Sequence, residues 1–376
     1  MLKGVNVTLL IGPVVPVPVP QAVLDALTSI QVTTSAAPRT PSGFQLTFQL
    51  SQKSPLHTLF LLTGGSLVPF MRVIIIVTMN GTPDVLMDGV ITRQDVQGGE
   101  NGQSTLTLTG TDLTTLMNLI DGDGTPFPAM PHNIRVMLIL AKYAVFGMIP
   151  AVLPPLFVDV PIPTDRIPRQ QGKDLEYINQ LADEVGYVFY ITPGPIPGTN
   201  TAYWGPEIKI GIPQPALNVG MDAHTNVESL SFNFNADAAT LPIVFIYNQE
   251  TKIPIPIPIP NINPLQPPLG LIPPLPTKLN LLRDTARKPI PGAILEGLAE
   301  AGRSADAVSA NGSLDVLRYG RALKARGLVG VRGAGMAFDG LYYVQSVTHN
   351  IKRGEYKQSF SLTRNGLVSI TPVVPP

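Results

Sequence analysis

Four histidines, His57, His132, His224 and His349, are the first side chains to test for chemistry. A helical metal pair needs two ligands four residues apart on one face. No two of these histidines have that spacing, and none stands among clustered carboxylates. His349 alternates with Val347 and Ile351, which predicts a histidine packed within a strand or at its edge. Asp121-Gly122-Asp123-Gly124 opens like a calcium loop. Thr125 and Pro126 then fall where that loop requires a ligand and a glycine, so a polar turn is expected. Gly333-Ala334-Gly335 is followed by Phe338 where a dinucleotide fingerprint needs Gly or Ala, and no βαβ pattern surrounds it. Neither a nucleophile elbow nor a phosphate-binding Gly-Lys loop is present. Asp183 and Glu184 are neighbours on a predicted helix; they point apart and read as a solvated face. With no cysteine, thiolate metal sites, cysteine nucleophiles and disulfides are all excluded. No catalytic, cofactor-binding or metal-binding role is therefore assigned to any residue.

Composition narrows the partners. Lys plus Arg and Asp plus Glu are 26 each in 376 residues, and only 14% of residues are charged. Phosphate neutralisation needs an excess of cations, so specific nucleic-acid binding is not expected. So little charge leaves few repulsions to keep free monomers apart, which points to a surface covered by partners. The cluster Arg318, Arg321, Lys324, Arg326 and Arg332 is the one basic concentration. The end of a helix accounts for most of it, and contact with an acidic partner is the sharper alternative. Residues 136–158 are apolar enough to raise a membrane span. Lys142 lies inside that stretch and Pro150, Pro154 and Pro155 break it, which favours a buried core helix and a Pro-rich connector. Pro13, Pro16, Pro18 and Pro20 likewise argue against a signal peptide.

The elements behind these residues are mainly strands. Phe44, Leu46, Phe48 and Leu50 alternate with polar residues; Arg72 to Met79 is a β-branched run ending at the hairpin signal Asn80-Gly81, and Met87 to Arg93 is its return. Leu106 and Leu108 alternate with threonines. Strands at this spacing with Gly-rich turns predict a barrel or sandwich. A helix is expected within Ile134 to Phe146 and another from Asp174, taken as its N-cap, to Gly186. Strands follow at Tyr187 to Ile191, Ile208 to Ile212, Glu228 to Phe234 and Ile243 to Tyr247. From Ile253 to Pro260 isoleucine and proline alternate, and proline enrichment continues to Pro276. Proline lacks the ladder N–H, so the expectation is an extended polyproline II arm docked on a neighbouring surface, with a disordered loop as the alternative. Helices at Ala293 to Ala301 and, capped by Ser313, at Leu314 to Arg326 precede a closing hairpin of Leu341 to Ile351 and Tyr356 to Arg364. On its second strand Tyr356, Gln358, Phe360 and Leu362 share one face.

Two stretches carry a resemblance. One runs from Gln170 through Asp174-Leu175-Glu176-Tyr177-Ile178 and Leu181-Ala182-Asp183-Glu184-Val185-Gly186-Tyr187 to Tyr190. The other is Asp339-Gly340-Leu341-Tyr342-Tyr343-Val344-Gln345-Ser346-Val347, followed by Gly354-Glu355-Tyr356 and Phe360-Ser361-Leu362-Thr363-Arg364. In order and separation they resemble the late control protein D family of contractile-tail hubs and the N-terminal part of the VgrG spike proteins of type VI secretion. The resemblance implies a homotrimeric structural hub of mainly β class with α insertions (α+β). It joins a sixfold inner tube to a threefold spike among other baseplate proteins, without cofactors or stable membrane insertion. It is assembled in the cytoplasm and located in the baseplate of the particle. VgrG chains continue into a spike, whereas this sequence stops at Pro376, so the spike is expected on a separate chain. The expected organisation is a first barrel-like domain at 1–125, a helical and β insertion at 126–250, a Pro-rich arm at 251–290 and, at 291–376, short helices and the closing hairpin of a second barrel-like domain. Asp88-Gly89 with Gly99-Glu100 and Gln103-Ser104 echoes Asp339-Gly340 with Gly354-Glu355 and Gln358-Ser359. Duplication would give a trimer six similar barrels and pseudo-sixfold symmetry; coincidence is the rival. The rival functions are a tail-associated cell-wall hydrolase, which needs an acidic pair or zinc ligands in a cleft, and a membrane-associated β-protein anchored by residues 136–158.

Overall fold

The computed structural model describes residues 4–50, 70–98, 104–155, 158, 160–164, 167–247, 251, 253–260, 265–288, 290–303, 306–371 and 374. His57 and the Gly99-Glu100 and Gln103 pieces of the internal echo lie outside them. The N-terminal strands are β1 (Val5–Gly12), β2 (Val17–Pro18), β3 (Leu27–Ser35), β4 (Gly43–Leu50), β5 (Arg72–Met79), β6 (Thr82–Gly98) and β7 (Ser104–Asp112), with helix α1 (Gln21–Ala26) before β3. Alternation dictates β4: Phe44, Leu46, Phe48 and Leu50 are buried, while Gln45 and Gln49 face solvent. At Asn80-Gly81 both residues have positive φ, 49° and 83°. The tight turn they form pairs Met79 with Thr82, as the dipeptide predicts. β5, itself a strand of the main sheet, is buried on both faces from Arg72 to Val77: Val73, Ile75 and Val77 enter the main core, and Ile74 on the other face lies toward Gly198 of the next unit.

That unit contains α2 (His132–Ala141), β8 (Met148–Val152), α3 (Asp174–Glu184), β9 (Val188–Pro193) and β10 (Asn200–Gly205). Its three strands are ordered β8-β10-β9, and Val136, Ile139, Leu140, Ile178, Leu181 and Trp204 fill a second core. The apolar stretch 136–158 thus splits into a helix that buries Val136, Ile139 and Leu140 but leaves Met137 and Leu138 exposed, unlike the fully buried helix expected, and an edge strand that tolerates Pro150. No helix of the described residues is long and apolar enough to cross a membrane. Gly186 ends α3 with φ 70°, and a Cβ there would meet Leu295 O at 2.7 Å, so glycine is required twice over.

The remainder forms β11 (Gln214–Asn218), β12 (Ser229–Phe234), β13 (Thr240–Tyr247), β14 (Pro254–Pro258), β15 (Gly270–Ile272), β16 (Lys278–Leu282), α4 (Ile290–Arg303), β17 (Val308–Asp315), α5 (Val316–Tyr319), β18 (Leu328–Arg332), β19 (Gly340–Lys352), β20 (Glu355–Arg364) and β21 (Leu367–Ser369). The large sheet runs β12-β17-β20-β19-β3-β4-β7-β6-β5-β1-β2, with β18 on β19 and β11 on β18. Its described strands form an open path and do not close into two barrels. The two ends of the chain meet where β3 pairs with β19, and Phe48 and Leu46 share one core with Phe360 and Leu362.

Three local expectations change. No strand forms at Ile208 to Ile212: Pro206 and Pro213 bracket it, Ile212 is exposed, and Lys209 turns inward to Asp306 at 2.8 Å. The helix expected over Leu314 to Arg326 shrinks to α5, because Ala310 and Leu314 find a sheet partner and a buried face, and that packing overrides helix propensity. Asp315 caps α5 through its Oδ1 (Leu317 N–H at 2.8 Å), while Ser313 sits in β17; Gly320 ends the helix. The Ile-Pro run is an edge strand, β14, and not polyproline II. Ile259 donates its N–H to Pro242 O at 2.9 Å, so the register turns every isoleucine N–H of the run toward β13. Each proline then falls where the missing N–H would have faced away from the sheet.

The β20 face expected from alternation is the observed one: Tyr356, Gln358, Phe360 and Leu362 are buried and Ser359 is exposed. Phe360→Ala should cost about 3–5 kcal/mol in urea unfolding, and Ser359→Ala about 0.5 kcal/mol or less. Reversed effects would mean that the strand is displaced by one residue.

Candidate functional site

The polar chemistry of the chain is concentrated in buried clamps. Arg72, at the start of β5, donates to Asp88 on β6 through Nε to Oδ1 at 2.7 Å and through Nη2 to Oδ2 at 2.6 Å. Both side chains are almost wholly buried. The same guanidinium reaches Val14 O at 3.1 Å, Phe146 O at 2.8 Å and Gly198 O at 3.0 Å. Asn200 Nδ2 completes the cluster on Asp88 Oδ2 at 2.8 Å. Phe146 precedes β8 and Asn200 opens β10, and these two strands are parallel. One arginine therefore grips the same end of both strands and fastens the second unit to the large sheet. A guanidinium can do this because its donors form a planar fork.

The first resemblance segment builds another clamp. Asp174 is fully buried at the first position of α3, preceded by Lys173 as N-cap. It acts as an acceptor and not as the cap expected from sequence. Its carboxylate receives Lys142 Nζ at 3.1 Å, Tyr143 OH at 2.8 Å and Gln170 Nε2 at 2.6 Å. Burial first, and then the adjacent Asp174 carboxylate, push the Tyr143 phenol well above its ordinary range. Tyr177 OH accepts from Arg135 Nη1 at 2.9 Å, and Tyr187 packs edge-on against Trp204. The Gln and Asp of the segment are joined to each other, and the Asp ties the start of α3 to Lys142 and Tyr143 just after α2.

The second segment holds the C-terminal strands. Arg364 is fully buried and donates to Gly366 O at 2.7 Å, Asp339 O at 2.8 Å and Ala337 O at 2.7 Å, while its guanidinium lies 4.5 Å from the Tyr342 ring centroid. Burial pushes Tyr342 up to about 12, against the opposing charge of Arg364. Asp339 Oδ1 accepts the Ala334 N–H at 2.7 Å, so Gly333-Ala334-Gly335 is a turn tied to this clamp.

The other singled-out residues fall into place around these clamps. His349 lies in β19 with its Nδ1 2.8 Å from Tyr356 OH, within the core, as a packed histidine. His132 pairs with Glu184 at 2.9 Å, and His224 occupies a short turn. Asp183 forms an exposed ion pair with Arg39 in the loop after β3, while Glu184 is hydrogen-bonded to His132. Asp121 accepts the Asp123 N–H at 3.0 Å in the expected polar turn. Among the described residues no three His, Cys, Asp or Glu side chains converge as metal ligands. The basic cluster is split up, since no helix gathers it: Lys324 bonds Asp84 at 2.8 Å, and Arg326 is half-buried 4.1 Å from the Tyr190 ring centroid. Arg326, Lys324, Asp84 and Asp112 line a cleft of 870 Å³ between the large sheet and the second unit. Burial raises the Asp112 pKa, yet its oxygens are occupied by the Ser42 N–H at 2.8 Å and the Thr114 N–H at 3.1 Å. That carboxylate caps a turn. Sequence reasoning missed Arg72, Asn200 and Arg364 as connectors. For the two arginines the only signal is a charged residue at one end of an apolar strand face; Asn200, an uncharged amide, gives none.

Two measurements check this account. Removing one partner of a buried pair leaves an uncompensated charge. Arg72→Ala should therefore cost about 3–5 kcal/mol in chemical unfolding. Arg39→Ala, at the exposed pair with Asp183, should cost about 1 kcal/mol or less; equal effects would contradict the clamp. Burial, with Lys324 nearby, holds His349 down at about 4, below its ordinary 6.5. The unfolded chain then protonates first as pH falls, so the contribution is complete above about pH 6.5. It declines toward pH 4 by an amount on the order of 3 kcal/mol. His349→Gln should flatten that part of the stability–pH curve, and an unchanged slope would show that other groups carry it.

No protein family and no curated protein matches the sequence. Solved structures do match over its whole length. A tail protein from Neisseria meningitidis MC58 superposes with a TM-score of 0.64 at 12% identity, covering 97% of this chain and 98% of that one. The 43 kDa tail protein of prophage MuSo2 from Shewanella oneidensis gives a TM-score of 0.59 at 15% identity, covering 96% and 98%. The E. coli c3393 protein, a component of the type VI secretion system, gives a TM-score of 0.53 at 11% identity, covering 93% and 77%. The chain has the fold of these tail and secretion-system proteins.

Proposed function

We propose that this chain is a non-catalytic baseplate hub of a contractile tail or injection machine. As a homotrimer it joins a sixfold inner tube to a threefold spike, in contact with other baseplate proteins. The observation that carries this reading is the extent of the fold match, almost all of this chain on almost all of two tail proteins. The site geometry supports it: the buried acids and guanidiniums named above are used up in holding elements together, as a load-transmitting part requires. The neutral, sparsely charged composition fits a surface that meets protein partners on several sides. The division into a first domain at 1–125, an insertion at 126–250, an arm at 251–290 and a closing domain at 291–376 belongs to the same proposal, as does its assembly in the cytoplasm. So does the pseudo-sixfold arrangement of two related β-units per chain, which would let three chains meet six tube subunits.

Light scattering on the purified chain and a map of the assembled particle test it. Three copies of the 40.2 kDa chain in one ring are expected. A concentration-independent monomer absent from the particle axis, or a ring of six, would overturn the adaptor reading.

A further inference from the structure

Two apolar faces stand at the two ends of one run of packed elements. The helix α2 packs on α3, α3 on α4, and α4 on β13 of the small sheet β14-β13-β16. His132 joins the first pair by its bond to Glu184 at 2.9 Å. In the second a Cβ on Gly186 would meet Leu295 O, and in the third a Cβ on Gly297 would lie 2.6 Å from Val244 Cγ1. At one end, α2 keeps Ile134, Met137 and Leu138 between 42% and 50% exposed, and Ala141 continues the same stripe. No charge interrupts it: Arg135 is buried, and Lys142 is taken by Asp174. At the other end, register fixes the two faces of the small sheet. Val244 meets α4, so Ile243, Phe245 and Tyr247 point away from it. They share that outer face with the three prolines of β14 and with Leu279 and Leu281 of β16. The paired positions of this face carry no charge, and Leu279, Leu281 and Tyr247 are 64%, 44% and 47% exposed.

We infer that the outer face of α2 in one copy of the chain seats on the outer face of the small sheet in the next copy. This rests on the homotrimer reading and supplies its contact. A closed ring of three needs two different surfaces on each chain that fit each other head to tail. A helix face at one end of the packing order and a bare sheet face at the other meet that need. The dimensions agree. Ten residues make α2 about 15 Å long, and the five-residue strands β14 and β16 run about 17 Å. Three strands spaced about 4.8 Å apart offer a bed about 10 Å wide, the width of one helix. The sheet already takes a helix, α4, on its other side. The neighbour's α2 would complete a helix–sheet–helix sandwich that buries both faces of the sheet. Neither surface carries a charge, so docking leaves no ion unpaired. Lipid fits the helix less well, because basic residues that would hold headgroups are missing from its outer side.

The chain has no cysteine, so introduced ones are its only thiols. Leu138→Cys on α2 and Leu281→Cys on β16 change exposed side chains. With a short bismaleimide linker, the chain bearing both should give a band of three chains on a denaturing gel, and the chain bearing either alone should stay single. Leu138→Glu should abolish the trimer in light scattering at concentrations where the parent is fully assembled, because the seat would bury an unpaired carboxylate. Ile212→Glu, exposed outside both faces, should keep it. A trimer without the crosslink overturns the inference and leaves the hub reading standing. Crosslinks that run on to six chains or to an open ladder support the contact and overturn the threefold reading. Dimers from Leu138→Cys alone would pair helix with helix and overturn the inference. An uncrosslinked monomer overturns both, and its sedimentation with anionic phospholipid vesicles would assign the α2 face to lipid.

Discussion

The structure depends on a charged pair where a hydrophobic contact would be expected. Arg72 and Asp88 are withdrawn from water between two cores, and from there the arginine takes the carbonyls of three separate loops. Such a pair adds little net stability over two well-packed apolar side chains, because desolvation offsets most of its attraction. What it adds is direction. An apolar contact between the sheet and the second unit could slide, whereas a fork of donors aimed at fixed carbonyls allows one relative orientation. The strands β8 and β10 start from the grip of that fork.

The same design recurs. Asp174 with Lys142, Tyr143 and Gln170 fixes two helices, and Arg364 with Asp339 and Ala337 fixes the C-terminal strands. Each clamp holds backbone or side-chain groups from distant parts of the sequence. The fold shared with tail proteins is thus held at defined angles by buried charges that face inward.

Much of the sheet was legible in the sequence, because burial on one face leaves a period of two that survives any topology. β4, β7, the Asn80-Gly81 turn and the faces of β20 follow from it directly. What depends on distant partners was not legible. Leu314 reads as the start of a helix until β20 supplies a strand beside it, and the Ile-Pro run reads as polyproline II until β13 supplies a partner for its isoleucine N–H groups. The pairing of β3 with β19 joins residues more than three hundred positions apart, and no local pattern announces it. The segment from Gln170 to Tyr190 stood out by resemblance, but the reason for its Gln and Asp appeared only with Lys142 and Tyr143 in place.

The most direct test of the clamp is amide exchange at Asn200, whose N–H donates to Gly147 O at 2.8 Å beside the carbonyls held by Arg72. In Arg72→Met, a volume-conserving change that removes the fork, protection should fall at Asn200 and Gly147 together, while Leu46 and Phe360 in the large core stay protected. Uniform loss across all four amides would make Arg72 an ordinary core residue. Unchanged protection at Asn200 would show that the two units are held in register by apolar packing alone.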